Sequence, residues 1–343
     1  MANQYTQPLT DAEQTYALVR RYSVEPPSDW ADRSRYADTS GNVHLFGGGD
    51  GEFDGFRHTT IKRKHRVGWA KLERNTQHVI RVGGTGTAGT LQMVVTSAQV
   101  AHSRPIYFLP WDARGGVTEM TLPDINNNNV EEHPTVFFTT ALSGCSIVVK
   151  GTQQNPTVMH CGKNGDIARD AHDFWEDFVR YIAGHGHGLN ANLGAIGTHT
   201  SKRAYVTQPG VRTPEGYGTT QSTLDYQTHL NQHYHTREAR GSRIAIEQVV
   251  PWGMVVGVRR GRDWTFYLQE NANIIYYTER QVQEVHRRWG GLRAPRIDMV
   301  WQRDEDRPRM VSRPMVLRPI FPGGAAVNLR SHFRSLLSTD APV

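Results

Sequence analysis

Short apolar runs alternate with polar, glycine-rich segments along most of the chain. Runs rich in β-branched and aromatic residues, bounded by turn residues, predict β-strands. The predicted strands are His78–Val82, Leu91–Val100, Ile106–Leu109, Val136–Thr140, Ile147–Val149, Pro156–Met159, Arg243–Val249, Gly253–Arg259, Trp264–Gln269, Asn273–Thr278, Ile297–Trp301 and Met315–Leu317. Turns are expected between the later ones, at Pro251–Gly253, Arg260–Asp263 and Glu270–Asn271, which is the pattern of a meander.

Helical spacing of apolar residues occurs in fewer places. Thr10 and Glu13 form a capping-box pattern that predicts a helix to about Tyr22. Asp166–Ala183 carries an apolar stripe at helical spacing, and shorter helices are predicted at Glu279–Trp289 and Asn328–Leu337. The expected fold class is therefore α/β, with a central β-sandwich of mixed, mostly antiparallel strands flanked by helices.

The domain organisation follows from where the composition changes. Residues 1–45 are interpreted as an N-terminal helix and a polar arm, and residues 46–343 as one catalytic domain. The chain has 343 residues, which is enough for one large hydrophobic core or two smaller ones.

The net charge of the chain adds little to the functional prediction. Lys and Arg number 39 against 33 Asp and Glu, so the formal net charge is +6, which favours acidic partners without selecting one. The densest basic run, Lys62–Arg66, lacks interleaved aromatic residues, so no nucleic-acid partner is expected. No apolar run has the roughly 20 residues of a membrane span, and two cysteines are too few for a disulfide framework.

The strongest chemical signal is a cysteine and a histidine in one predicted hairpin. Cys145 begins one strand and His160 ends the next, so an antiparallel pairing would place them side by side. A thiol nucleophile and its general base need that arrangement. Gly144 permits a sharp turn, and Ser146 leaves the sulfur unshielded. The plainer interpretation is that Cys145 is a small core residue.

The run Leu142-Ser143-Gly144-Cys145, with His160 fifteen residues later, resembles the signature of bacterial glutamine deamidase toxins. These include the catalytic domains of the cytotoxic necrotizing factors and the Burkholderia lethal factor, and the resemblance covers about 136–162. It implies a β-sandwich flanked by helices, Cys145 as nucleophile and His160 as base. Thr139 corresponds to the threonine that completes the lethal-factor site; in the necrotizing factors a backbone carbonyl serves instead.

The resemblance further implies hydrolysis of a glutamine side-chain amide on a host protein, such as a small GTPase or a translation factor. Backbone N–H groups around Gly144, Cys145 and Ser146 would bind the oxyanion. No cofactor or metal is expected, and we expect a monomer. The N-terminus lacks the pattern of a signal peptide, so a specialised system would secrete the toxin, which would act in the target-cell cytoplasm.

Other functions fit the same residues. A transglutaminase differs only in accepting an amine in place of water, and a cysteine protease uses the same dyad. A non-enzymatic alternative is a basic protein-binding module with a buried Cys145. A cluster of His229, His233 and His235 has the i, i+4 spacing of metal ligands, but a polar helix face explains it more simply.

Overall fold

The computed structural model describes residues 4–27, 42–44, 60–63, 67–75, 89–111, 117–125, 133–142, 145–161, 196–200, 242–286, 296–304 and 308–329. Within these ranges the chain is almost entirely β-structure, with one α-helix. The strands are β1 (Ser23–Glu25), β2 (Asn42–His44), β3 (Thr60–Arg63), β4 (Val67–Arg74), β5 (Thr90–Thr96), β6 (Arg104–Leu109), β7 (Val117–Thr121), β8 (Val136–Thr139), β9 (Ser146–Gly151), β10 (Pro156–Cys161), β11 (Ile196–Thr200), β12 (Ser242–Arg260), β13 (Asp263–His286), β14 (Arg296–Arg303), β15 (Arg309–Phe321) and β16 (Val327–Asn328).

Two mixed sheets account for these strands. The ten-stranded sheet has the order β1-β5-β4-β6-β8-β12-β13-β15-β16, with β14 paired to β13. The six-stranded sheet has the order β11-β9-β10-β7-β3-β2. Among the described pairs, β1–β5, β6–β8 and β3–β7 are parallel and the rest are antiparallel, so the expectation of mixed, mostly antiparallel strands is confirmed.

One apolar cluster lies between the sheets. It includes Ile147, Val149 and Val158 of the six-stranded sheet together with Phe137 and Leu268 of the ten-stranded sheet. Aromatic rings fill its centre, with Trp264 and Phe266 stacked at 5.9 Å between ring centroids. A backbone bond from Trp264 N–H to the Gln153 carbonyl, 2.9 Å, also ties the sheets together. The two sheets therefore pack face to face across one core.

The expected flanking helices are not supported within the described residues. The only described α-helix is α1 (Ala12–Arg21), preceded by a 3₁₀ turn at Gln7–Thr10. The segment Glu279–Trp289, predicted as a helix, is strand as far as His286, because β14 pairs with it over its described length. Long-range ladder bonds outweigh local helix propensity here. The predicted helix Asp166–Ala183 and most of Asn328–Leu337 lie outside the described residues.

The N-terminal cap also differs from the prediction. Asp11, not Thr10, caps α1, since its carboxylate accepts a bond of 2.8 Å from Gln14 N–H. The Thr10 hydroxyl instead donates to the Gln7 carbonyl. Glu13 pairs with Arg260 rather than closing a capping box. Asp11, one residue after the predicted cap, accepts a hydrogen bond from one of the otherwise unpaired N–H groups of the first helical turn in the same way.

Two of the predicted turns are absent. β12 continues through Pro251–Gly253, and β13 continues through Glu270 and Asn271. Pro251 is tolerated because β8 pairs with β12 only at Val256–Val258, so the described strands leave one edge of β12 open at Pro251. The third predicted turn, at Arg260–Asp263, is the tight turn that joins the two long strands.

Candidate active site

The β9–β10 hairpin carries the candidate residues, as the sequence predicts. In its register, His160 lies opposite Ile147 and Cys161 lies opposite Ser146. Cys145 immediately precedes β9, two residues before Ile147. Cys145 and His160 are therefore diagonal neighbours on adjacent strands, a relation that corresponds to roughly 7–8 Å.

Both candidate side chains belong to the inner face of this hairpin. Cys145 and Ile147 are members of the cluster between the sheets. Residues directly opposite each other in an antiparallel pair share a face, so His160 lies on the same face as Ile147. Successive residues alternate faces, which places Cys161 on the outer face. The hairpin thus separates the two thiols, with Cys145 alone on the side of the imidazole.

Burial also distinguishes the two cysteines. Cys145 retains 7% of its surface, whereas Cys161 is fully buried. Burial raises the pKa of the Cys161 thiol well above its ordinary value, and the neighbouring Cys145 adds to this shift. Because the thiolate is the reactive form, Cys161 is held in an inert state.

The imidazole of His160 is fully buried and has no hydrogen-bond partner among the described residues. Its side chain is 0% exposed, and neither Nδ1 nor Nε2 has a hydrogen-bond partner among the described residues. Burial lowers the pKa of the imidazole to about 3, so the ring is neutral at physiological pH. A neutral ring can accept a proton, which a general base must do. The ring is not within hydrogen-bond contact of the Cys145 sulfur in this structure.

The hydroxyl of Thr139 is bound elsewhere. It accepts a bond of 3.0 Å from Val255 N–H and donates one of 2.9 Å to the Thr140 carbonyl. The Thr140 hydroxyl donates to the Ala141 carbonyl at 3.1 Å. Neither hydroxyl therefore bonds to His160, and the bond from Val255 N–H to the Thr139 hydroxyl joins β8 to β12. The described residues therefore supply neither a hydroxyl nor a backbone carbonyl as a partner for the His160 ring.

The proposed oxyanion region is described only in part. Ser146 begins β9 and is buried, with its side chain on the outer face opposite Cys161. Gly144 lies outside the described residues. Just before it, Leu142 exchanges two backbone hydrogen bonds with Gly253, which anchors the corner to β12.

Sequence reasoning missed the groups that surround the imidazole. Thr118 of β7 lies directly opposite His160 on the side away from Ile147. Its hydroxyl donates to the Pro110 carbonyl at 2.7 Å. No local signal marks Thr118, because its position depends on the pairing of strands that are 42 positions apart at this point.

No group suited to a metal was found in the described part of the chain, where no three His, Cys, Asp or Glu side chains cluster in a suitable way. The residues His229, His233 and His235 lie outside that part. No helix within the described ranges has the length and hydrophobicity that crossing a membrane requires.

Comparison with known proteins gave no match to a family model and no significant similarity to a curated protein.

Proposed function

We propose that this protein is a glutamine deamidase that acts on a protein substrate, with Cys145 as nucleophile and His160 as general base. The observation that carries the proposal is the β9–β10 register, which puts these two side chains on the same inner face as diagonal neighbours. The sequence motif at residues 142–145 adds the resemblance to deamidase toxins.

The reaction would begin when the substrate carboxamide enters beside Cys145. The imidazole takes the thiol proton, and the sulfur attacks the amide carbon to form a tetrahedral oxyanion. Protonated His160 then gives its proton to the leaving nitrogen, so the C–N bond breaks and ammonia departs. A water molecule, deprotonated by the same imidazole, hydrolyses the thioester and leaves glutamate and a free thiol.

The burial of His160 constrains this mechanism. An imidazole with a pKa of about 3 gains a proton only where a nearby negative charge stabilises the imidazolium. The thiolate of Cys145 supplies that charge once the two groups touch. Catalytic hydrogen bonds are often long before substrate binds and shorten in the complex, so the diagonal separation is compatible with the dyad.

The direct test is intact mass spectrometry of candidate host proteins, including small GTPases and translation factors, after incubation with the protein. Deamidation replaces an NH₂ group by OH, and the corresponding small mass gain is the expected result. Addition of a supplied amine would indicate a transglutaminase, and fragments would indicate a protease.

The matched variants are Cys145→Ser and Cys161→Ser, which make the same change on opposite faces of the hairpin. Cys145→Ser should abolish the mass gain, because the nucleophile is lost. Cys161→Ser should retain it, since that thiol faces away from His160. Full activity of Cys145→Ser, or loss of activity only in Cys161→Ser, would refute the assignment of the nucleophile. If the wild type binds a target protein without modifying it, and Cys145 does not react with alkylating reagents, the protein-binding module becomes the better description.

A further inference from the structure

Residues 281–286 of β13 and 296–301 of β14 form a two-stranded ribbon that lies outside the core. The pairing of β13 with β12 ends at Arg280, opposite Ser242, and among the described strands the rest of β13 pairs only with β14. No side chain of the ribbon belongs to the apolar clusters of the described residues. A ribbon of two strands has little stability of its own in water, so a further contact is expected to support it.

The ribbon presents apolar side chains to solvent. Val285 of β13 lies opposite Ile297 of β14, and their exposed fractions are 53% and 56%. Met299, two residues along the same face of β14, is 51% exposed. Three of the six large apolar side chains that are exposed in the described structure therefore lie on this one ribbon, which marks it as a contact surface.

The edge of β14 that faces away from β13 has no partner among the described strands. Asp304 N–H donates to the Thr278 carbonyl at 2.9 Å, so the backbone of Asp304 faces β13. Backbone groups alternate in direction along a strand. The residues that direct their N–H and C=O groups to the open edge are therefore Ile297, Met299, Trp301 and Arg303. The strand contains no proline and its register has no bulge, which are two devices by which natural sheets protect an edge.

The backbone of this edge can pair with a second copy of itself. A two-fold axis at Val300 would bring two β14 strands together antiparallel, with Ile297 opposite Arg303 of the second copy and Met299 opposite Trp301. Each of these four residues would then exchange both of its backbone hydrogen bonds with the other strand. The Met299 sulfur would lie beside the Trp301 ring, which is a favourable contact.

The charges of the edge also match in this register. Arg296 would lie opposite Asp304 of the second copy, and Asp298 opposite Gln302, so no two like charges face each other. Within one chain, Arg296 pairs with Asp298 at 2.9 Å and Asp304 pairs with Arg280 at 3.4 Å. These pairs lie at the surface and contribute little, so they can exchange partners at small cost.

Neighbouring registers are less favourable. With the axis one residue earlier, Arg303 would lie opposite Pro295, which has no N–H to donate. With the axis one residue later, Asp298 and Asp304 would face each other as like charges. An axis at Val300 satisfies every outward backbone group of the strand and avoids both conflicts.

We propose that β14 is a dimerisation edge, which pairs antiparallel with β14 of a second copy of this chain about a two-fold axis at Val300. Pairing would join two ribbons into one four-stranded sheet and so supply the support that a single ribbon lacks. The partner is a second copy because the charges and backbone groups of the edge complement their own reversed order, as an isologous interface requires. The inference is independent of the proposed deamidase function and differs from the monomer expected from sequence.

The experiment measures the oligomeric state of the full-length protein by sedimentation equilibrium across a range of concentrations. The wild type should be a dimer. Val300→Lys and Val300→Glu each place two like charges at the axis, so each variant alone should weaken dimerisation by about tenfold or more. An equimolar mixture of the two variants should dimerise again, because opposite charges then meet at the axis.

A second pair of changes tests the register. Arg296→Glu should weaken the dimer, because its new charge faces Asp304 of the second copy. Adding Asp304→Arg to the same chain restores opposite charges with reversed polarity, so the double variant should recover the dimer. The control is Val285→Lys, which adds a charge to the same ribbon on β13, away from the open edge. This control should leave dimerisation unchanged.

The outcomes decide between edges, faces and partners. A wild type that stays monomeric at its highest soluble concentration would overturn the proposal, as would a dimer that neither Val300 variant weakens. Loss of the dimer in Val285→Lys but not in Val300→Lys would show packing through the apolar face and would overturn edge pairing. A monomeric wild type that binds a different protein, with binding lost in Val300→Lys, would assign the edge to another partner and overturn self-pairing.

Circular dichroism establishes that each variant is folded. If the Val300 variants do not fold, loss of the dimer in Arg296→Glu and its recovery in the double variant decide the matter. None of these measurements uses deamidation, so the dimer and the proposed enzyme activity can fail separately.

Discussion

At the scale of single residues, His160 is the most unusual side chain in the described structure. A buried polar group without a hydrogen bond is expensive, typically by about 1–3 kcal/mol. Both ring nitrogens of His160 are in this situation. A histidine with a purely structural role would normally have a partner for at least one of them. Retaining this residue in the core is therefore more consistent with a chemical role than with packing.

This reasoning predicts opposite effects on stability and activity for His160→Leu. Leucine has a similar volume and no polar atoms, so the free energy of unfolding at neutral pH should rise by about 1–3 kcal/mol. Deamidation should be abolished, because the base is lost. Urea denaturation and the mass assay provide the two measurements. A variant that loses several kcal/mol of stability would show that the imidazole contributes favourable contacts in solution.

The same residue predicts a pH dependence of stability. The pKa of His160 is about 3 in the folded protein, against about 6.5 when the ring is exposed on unfolding. Between these values the unfolded chain binds a proton that the folded protein does not, so acid favours unfolding. The proton-linked loss of stability due to His160 is absent above pH 6.5 and grows by roughly 1.4 kcal/mol per pH unit as the pH falls towards 3.

Comparison with His160→Leu isolates this contribution from that of other groups. The difference in unfolding free energy between the variant and the wild type should widen steadily as the pH falls from 6.5 to 4. A constant difference across this range, measured by denaturation at each pH, would mean that the imidazole is already charged or solvated in the folded protein.

At the scale of elements, the junction between β8 and β12 supports the site. The Thr139 hydroxyl provides a side-chain bond at this junction, since Val255 N–H donates to it at 3.0 Å. Val255 belongs to the same cluster as Cys145. Thr139 thus has a structural role close to the nucleophile, independent of any contact with the imidazole.

Thr139→Val tests this role because it keeps the branched shape and removes the hydroxyl. The Val255 N–H loses its acceptor inside the core, so the free energy of unfolding should fall by about 1–3 kcal/mol. The turnover rate of the folded enzyme should stay within a few-fold of the wild-type rate. Thr140→Val is the matched control, because it removes the hydroxyl that donates to the Ala141 carbonyl. A rate loss of one to two orders of magnitude at unchanged stability would instead assign the Thr139 hydroxyl to His160 in the reacting enzyme.

At the scale of the whole molecule, the N-terminal helix is part of a core. Leu9, Leu18 and Val19 are buried in the cluster on the outer side of the ten-stranded sheet, together with Met254 and Val256 of β12. Gln269 of β13 secures the connection, because its Nε2 donates to the Val19 and Tyr22 carbonyls and its Oε1 accepts from Val24 N–H. The N-terminal segment covers one face of the ten-stranded sheet, and the other face of that sheet packs against the hairpin that carries the site.

Deletion of residues 1–22 should therefore prevent stable folding. Burial of three aliphatic side chains corresponds to roughly 5–8 kcal/mol, which is comparable with the total stability of an ordinary domain. The expected result is loss of cooperative thermal unfolding, observed by circular dichroism. Glu13→Gln is the control, because its ion pair with Arg260 is solvent-exposed and should contribute little. A deletion variant that unfolds cooperatively at the temperature of the wild type would show that the helix is dispensable.

Much of the candidate site could be predicted from sequence because its determinants are local. Cys145 and His160 lie on two strands joined by a short loop, and strand alternation alone distinguishes Cys145 from Cys161. Those relations depend on a period of two residues and on antiparallel pairing of neighbours. Strands β5, β6, β8–β10 and β12–β15 were predicted in the same way from β-branched and aromatic runs, whereas β1–β4, β7, β11 and β16 were not predicted.

Only the tertiary structure decided the features that depend on distant segments. Local propensity indicated a helix after Thr278, but pairing with β14 makes β13 continue to His286. The donor to the Thr139 hydroxyl, Val255 N–H, lies 116 residues further along the chain, and the partner of Leu142 is Gly253 of β12. Such contacts are determined by which strands become neighbours and in which register, and no local pattern encodes that choice.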